Sequence, residues 1–304
     1  MNTEQIVYLE KHIYANSDLP AYRISDGDIA RLKRNGVLPI FKISDNDLKE
    51  LNPAPIPADA PEIAILFNRE PKDYMIPADY VYSVLKAGGE PRIISFDDME
   101  RQLEGVSGIV LSGGDFDMPG EWYIDSAKKK YPPVQKRYKA YEFIINYAAE
   151  NKVPMLGICA GMQTMSIILS EEKAKVYNDL YVITTIGHRP PATEIPRSAT
   201  VHDIDIVKGS KFYEIVGKEN VMVNSRHFQG VVPYSVKNLD TIKVTATAPD
   251  GIIEAVEFPQ HPYFLGVEFH PETQVYYGST DMLKLFTNLV KEAREYKSAL
   301  EIKN

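Results

Sequence analysis

The sequence predicts an α/β protein built on an open, largely parallel sheet with helices on both faces. Three observations predict it. From residue 62 onward, short apolar runs alternate with amphipathic stretches. The runs are almost continuously apolar, as strands covered on both sides require. Two of them end on clusters of small residues, Gly113-Gly114 and Gly157-Ile158-Cys159-Ala160-Gly161, where tight turns lead away from a sheet edge.

The first part of the chain is different. "YRISDGDIARL" (22–32) and "FKISDNDLKEL" (41–51) are near-copies. In each, a serine stands three residues before an acid and opens a run with helical spacing. Ser25 with Asp28 and Ser44 with Asp47 therefore predict two capped helices. "NPAPIPADAP" (52–61) carries four prolines and reads as a stiff linker. The expected division is a helical extension with a Pro-rich linker over 1–58 and the main domain over 59–304. Two short helical units are too few for a solenoid.

In the main domain, "EIAILF" (62–67) is a buried strand, and "ADYVYSVLKAGG" (78–89) is a helix with a glycine stop. "PRIISF" (91–96) and "SGIVLSGG" (107–114) are the next strands. "VQKRYKAYEFIINYAAEN" (134–151) is an amphipathic helix, and "VPMLGI" (153–158) is a strand running into the cysteine. "TIKVTATAPDGIIEAVEF" (241–258) is a hairpin around Asp250-Gly251. "YFLGVEF" (263–269) is the last strand, and "DMLKLFTNLVKEAREY" (281–296) a closing amphipathic helix.

Composition narrows the function classes. The 304 residues hold 34 Lys and Arg against 42 Asp and Glu, a formal net charge of −8. That balance argues against broad electrostatic binding to nucleic acid or anionic membranes. No apolar run approaches the ~18 residues of a membrane span, and the first residues lack the pattern of a secretory signal. A soluble cytoplasmic protein is the expectation. One cysteine excludes a disulfide framework.

That cysteine sits in a pattern with chemical meaning. Gly157-Ile158-Cys159-Ala160-Gly161 has the G-x-nucleophile-x-G form of a strand-to-helix elbow. Small neighbours let the backbones approach. The helix N-terminus that follows favours a thiolate and offers N–H groups to an oxyanion. A cysteine nucleophile needs a base, and the base an orienting group. Of the six histidines (His12, His188, His202, His227, His261 and His270), His270 ends the last strand and precedes Pro271-Glu272. An extended chain there puts Glu272 on the same side as His270. Gly113-Gly114, after the third strand, can add an N–H near Gly114 to that of Ala160 as an oxyanion hole. A zinc deaminase is excluded, because no second cysteine exists, and so is a P-loop. Tyr276-Tyr277 follow the His-Pro-Glu turn closely enough to line a pocket, although ordinary packing and surface tyrosines are the stronger reading. Lys208, Lys211 and Lys218 read as solvated surface charge.

Taken together, "LSGGDFD" (111–117), "GICAGMQ" (157–163) and "GVEFHPE" (266–272) resemble the class I glutamine amidotransferase-like family. "VNSRHFQGV" (223–231) resembles its peptidase C26 branch, the gamma-glutamyl-gamma-aminobutyrate hydrolases. The resemblance covers about residues 60–297 and implies a flavodoxin-like sheet. It implies Cys159 as nucleophile, His270 as base, Glu272 as its orienter, and Gly114 and Ala160 as the oxyanion hole. It places Gln163, Asn224, Ser225, His227 and Gln229 around a gamma-glutamyl group. The implied reaction is hydrolysis of a gamma-glutamyl amide through a thioester, with no metal or organic cofactor. The partner is then a small-molecule substrate; homo-oligomerisation stays open. A glutaminase subunit feeding ammonia to a partner synthase, or a non-catalytic binding protein on the same fold, are the alternatives. Three departures stand out: Ala160 replaces the branch's usual arginine, Phe228 its second histidine, and "LSEEKAKVYNDL" (169–180) its glycine-rich turn.

Overall fold

The computed structural model describes residues 3–13, 19–69, 73–114, 118–124, 135–180, 184, 186–191 and 195–302. Asp115–Asp117 of the glycine loop and the first residue of the expected 134–151 helix lie outside this set.

The five apolar strands of the main domain are Glu62–Leu66, Glu90–Ile94, Gly108–Leu111, Met155–Ile158 and Phe264–Val267. All run parallel, with Glu62–Leu66 between Glu90–Ile94 and Gly108–Leu111. Numbered along this domain, the spatial order is 2-1-3-4-5, the flavodoxin-like arrangement. Every residue of the last three strands is buried, which explains their unbroken apolar character. Helices cover both faces. Ala78–Lys86, Pro271–Tyr276 and Thr280–Glu301 pack together on one face, Gln135–Asn151 and Ala160–Ile168 on the other.

Beyond Phe264–Val267 the sheet continues antiparallel through Ile253–Glu257, Lys243–Thr247, His202–Ile206 and Asn220–Val223. The expected hairpin forms around Gly251, whose φ of +83° a side chain would resist.

The extension is not simply helical. Both expected helices form, Asp26–Arg34 and Asp45–Leu51, and Ser25 and Ser44 accept from the N–H groups of Asp28 and Asp47. Strands lead into them, however. Thr3–Tyr8 and Val37–Lys42 pair in parallel, and Phe41 bridges to Ile93 at the edge of the main sheet. Pro20–Ser25 pairs with Glu10–Ile13 and Asp73–Pro77 in a second, antiparallel sheet. The repeated "YRIS" and "FKIS" segments are strand ends, so the repeat unit is strand-cap-helix. Phe41, Phe67 and Tyr74 pack edge to face between the extension and the main sheet.

Candidate active site

The five parallel strands end on one side of the sheet, and the sequence-marked residues follow three of them there. Cys159 leaves Met155–Ile158 with φ +52° and ψ −113°, and the helix Ala160–Ile168 begins at the next residue. Such a backbone costs on the order of 1–3 kcal/mol outside glycine. Close packing holds the turn in place. A Cβ on Gly157 would collide with Met165 Sδ, and one on Gly161 with Leu111 O. Cys159 N donates to Val267 O at 2.7 Å, tying the elbow to the neighbouring strand. Ala160 N opens the helix and has no intrahelical acceptor by position.

His270 follows Phe264–Val267. Its Nδ1 lies 2.6 Å from Glu272 Oε1, with both side chains buried. The backbone route differs from the expected extended chain: Pro271 is the first residue of a short helix, so Glu272 faces His270 across a helix N-terminus. Asn224 fixes the histidine from the other side, accepting from His270 N and donating to His270 O, both at 2.9 Å.

Gly113 brings these parts together. A Cβ built on it would stand 3.1 Å from Cys159 Cβ and 3.1 Å from His270 Cε1. Nucleophile candidate, base candidate and glycine loop therefore share one small volume.

Beneath the loop lies a layer that sequence reasoning missed. Arg137, from Gln135–Asn151, is only 1 % exposed. Its guanidinium donates to Gly113 O, Asn68 Oδ1 and Tyr141 Oη. Tyr141 in turn donates to Ser112 O. A Cβ on Gly114 would fall onto the guanidinium, and Gly114 has φ +151°. On the opposite face, Tyr80 Oη accepts from Gly113 N at 3.0 Å. Asp79 accepts from Thr273 Oγ1 at 2.7 Å and from Tyr80 N at 2.9 Å. Burial and the nearby Glu272 push the Asp79 carboxyl up to about 6. One signal was available: Arg137 recurs at helical spacing with Ala140, Tyr141, Ile144 and Ala148, a charge on an otherwise apolar face.

The remaining expected contacts are buried and turned toward protein partners. Gln163 Nε2 donates to Glu268 Oε1 at 2.5 Å and to Gln229 O at 3.2 Å, while Gln163 Oε1 has no hydrogen-bond partner. Burial and the nearby Glu254 push the Glu268 carboxyl well up from the usual carboxylate range. Ser225 Oγ donates to His188 O, and Gln229 Nε2 to Tyr123 Oη. His227 faces Glu254 and Glu268 rather than Cys159. Tyr276 packs edge-on against Tyr82, and Tyr277 against Tyr276. Lys208 and Lys218 pair with Glu219 and Asp281 at the surface.

A doubly covered parallel sheet, a strained cysteine at a strand-to-helix elbow and a histidine held by a carboxylate define a class of cysteine-centred amidohydrolase folds. Residues 61–272 match the family model Peptidase C26, and the chain belongs to that family of glutamine amidotransferase-like hydrolases. It is 26% identical over 262 residues to a protein of Rickettsia prowazekii named as glutamine amidotransferase-like, covering 73% of this chain and 90% of that one. It is 25% identical over 199 residues to the gamma-glutamyl-gamma-aminobutyrate hydrolase PuuD of Escherichia coli, covering 64% and 76%. Among solved structures, the glutaminase domain of CTPS from Trypanosoma brucei superposes with a TM-score of 0.53 at 18% identity, over 78% of this chain and 94% of that one. That likeness concerns the fold. Among the described residues, no helix is long and apolar enough to cross a membrane.

Proposed function

We propose that the protein hydrolyses a gamma-glutamyl amide of a small molecule, with Cys159 as nucleophile. The observation that carries the reading is the buried 2.6 Å His270–Glu272 pair, set with the strained Cys159 around Gly113. The name of the Escherichia coli relative supports the substrate class.

Glu272 accepts from His270 Nδ1, which leaves Nε2 as the basic nitrogen. Nε2 takes the Cys159 thiol proton as sulfur attacks the gamma-carbonyl carbon. The carbonyl oxygen becomes an oxyanion, held by the N–H groups of Ala160 and Gly114. Collapse breaks the C–N bond, and the leaving amine carries off the proton from Nε2. A water molecule then attacks the thioester, giving up a proton to Nε2, and sulfur leaves as glutamate departs. Arg137 and Tyr80 hold the glycine loop from below and from the side, so its donors are in place before charge develops. Gln163 and the 224–229 segment wall the gamma-glutamyl side.

The test is mass spectrometry of the intact protein after brief exposure to a diazo-oxo-norleucine electrophile, with turnover of a gamma-glutamyl amine panel. Rapid single-site labelling, lost in Cys159→Ala and slowed in His270→Ala, is expected together with amine release. A well-folded wild type that neither labels nor releases amine overturns the reading.

A further inference from the structure

Beside the elbow helix, three histidines from three separate segments converge on one buried carboxylate. His188 lies in the 186–191 loop, His202 opens the strand His202–Ile206, His227 follows the strand Asn220–Val223, and Glu254 projects from Ile253–Glu257. Their exposures are 1 %, 6 %, 3 % and 0 %. His188 Nδ1, His202 Nε2 and His227 Nε2 stand 3.3, 3.5 and 3.5 Å from the same oxygen, Glu254 Oε1. None of these three nitrogens, and neither oxygen of Glu254, has a hydrogen-bond partner.

The outer nitrogens explain why this is a problem for the protein alone. His188 Nε2 lies 2.9 Å from Asp250 Oδ2, His202 Nδ1 3.1 Å from Asp203 O, and His227 Nδ1 2.7 Å from Gln229 O. A carboxylate and two carbonyls only accept, so each imidazole carries its proton on the outer nitrogen. With that proton outside, each ring turns the lone pair of its inner nitrogen toward the same carboxylate oxygen. A proton on one ring relieves one of them and leaves two. One divalent cation relieves all of them.

We propose that His188, His202, His227 and Glu254 form a zinc site. Zinc bonds of about 2.0–2.1 Å in a tetrahedron set neighbouring ligand atoms about 3.3–3.4 Å apart, which is the separation found from each imidazole to the carboxylate. The ligand atoms of His188, His202 and Glu254 all lie within 4.8 Å of one another, and His227 Nε2 approaches the same Glu254 oxygen at 3.5 Å as the fourth candidate ligand. Histidine ligands whose second nitrogen is held by a carboxylate or carbonyl are the outer arrangement that zinc sites use. Four protein ligands make a closed, structural site. It pins the 186–191 and 224–229 loops to the sheet, and Asn224 of the second loop clamps His270. The proposal stands apart from the hydrolase reading, because metal content and Cys159 labelling fail independently.

The experiment is elemental analysis of the full chain after exhaustive dialysis, beside Glu254→Gln, His202→Asn and Cys159→Ser. About one equivalent of zinc is expected in wild type and Cys159→Ser, and loss of most of it in the other two. In wild type stripped by a chelator, cobalt(II) restores the same stoichiometry with the intense visible bands of a tetrahedral ion, and zinc displaces them. That measurement needs no substitution, so a variant that fails to fold does not shield the proposal. Folded wild type that holds no metal and takes up neither ion overturns it. So does metal retained equally in Glu254→Gln and His202→Asn, or cobalt with an octahedral spectrum.

Discussion

Gly113→Ala is the sharpest probe of the proposed catalytic geometry. The new methyl would stand 3.1 Å from both Cys159 Cβ and His270 Cε1 and 3.3 Å from Ile158 O. Carbon pairs prefer about 3.5–4.0 Å. The shortfall, divided between two side chains that can give way, moves nucleophile and base apart by a few tenths of an ångström. A misplacement of about 1 Å costs on the order of a hundredfold in rate, so roughly five- to tenfold is expected here, or about 1 kcal/mol of barrier. Overpacking by one methyl costs about 1–2 kcal/mol of stability, which leaves a folded enzyme. The assay is the second-order rate of diazo-oxo-norleucine labelling at Cys159, with thermal denaturation in parallel. Gly27→Ala, whose methyl would meet only Ser25 Oγ at 3.7 Å, is the control. A labelling rate within twofold of wild type would refute the reasoning, because it would mean that Cys159 and His270 do not close on each other past Gly113.

Three further outcomes are expected. Cys159→Gly removes a side chain from the φ +52° position, so chemical denaturation should show a protein about 1 kcal/mol more stable than wild type and inactive. Arg137→Met strips the donor from Gly113 O and Asn68 Oδ1; unfolding should show a loss of about 3 kcal/mol, and steady-state kinetics a fall in kcat larger than the change in KM, with partial recovery in Arg137→Lys. Asp79 is raised from 3.8 to about 6 by burial and by Glu272, so the native state holds its proton while the unfolded state releases it. Its contribution to stability therefore declines as pH rises between about 4 and 6, by up to roughly 3 kcal/mol. Asp79→Asn should match wild type near pH 4 and exceed it in denaturant midpoint at pH 7.5; equal pH profiles for the two would contradict the assignment.

The parallel core was legible because burial on both faces writes itself into composition: "EIAILF", "SGIVL" and "VPMLGI" admit few other readings. The extension was legible only where its signals are local. Ser25 and Ser44 announce their helices within three residues, but the strand Thr3–Tyr8 is mostly solvent-exposed and offers no alternation. Val37–Lys42 contains Pro39, which argues against a strand unless it lies in a setting that tolerates the missing donor. Its pairing with the main sheet is a contact across more than fifty residues, which no local pattern encodes. The same division holds at the site. Cys159, His270 and Glu272 carry their own context in adjacent glycines and a proline. Tyr80, Arg137 and Tyr141 reach the glycine loop from helices, by packing alone, and the four members of the histidine cluster are scattered over residues 188–254 without a ligand spacing.

Strain and buried polarity together mark where the fold has given up stability. Among the described residues, five other than glycine have positive φ: Asp98, Lys152, Cys159, Glu171 and Glu172. Four are exposed turn residues, where water relieves the backbone and the cost is small. Cys159 alone is buried, with its neighbours packed so closely that Gly157 and Gly161 admit no methyl. The buried guanidinium of Arg137 lies under the adjacent loop, and the unpartnered atoms of Gln163, Glu254, Glu268 and the three histidines gather beside the same helix. Folding alone does not favour the elbow, since a glycine at 159 would carry less strain, and the desolvation of the Arg137 guanidinium is a cost its hydrogen bonds must offset. The concentration of these groups at the carboxyl edge of the sheet is what a preorganised site requires: each unfavourable group is held by a neighbour that is itself held. Relief of the backbone strain at Cys159 should therefore raise stability and lower activity together, and a variant that gained both there would break the connection between strain and function on which the proposed mechanism rests.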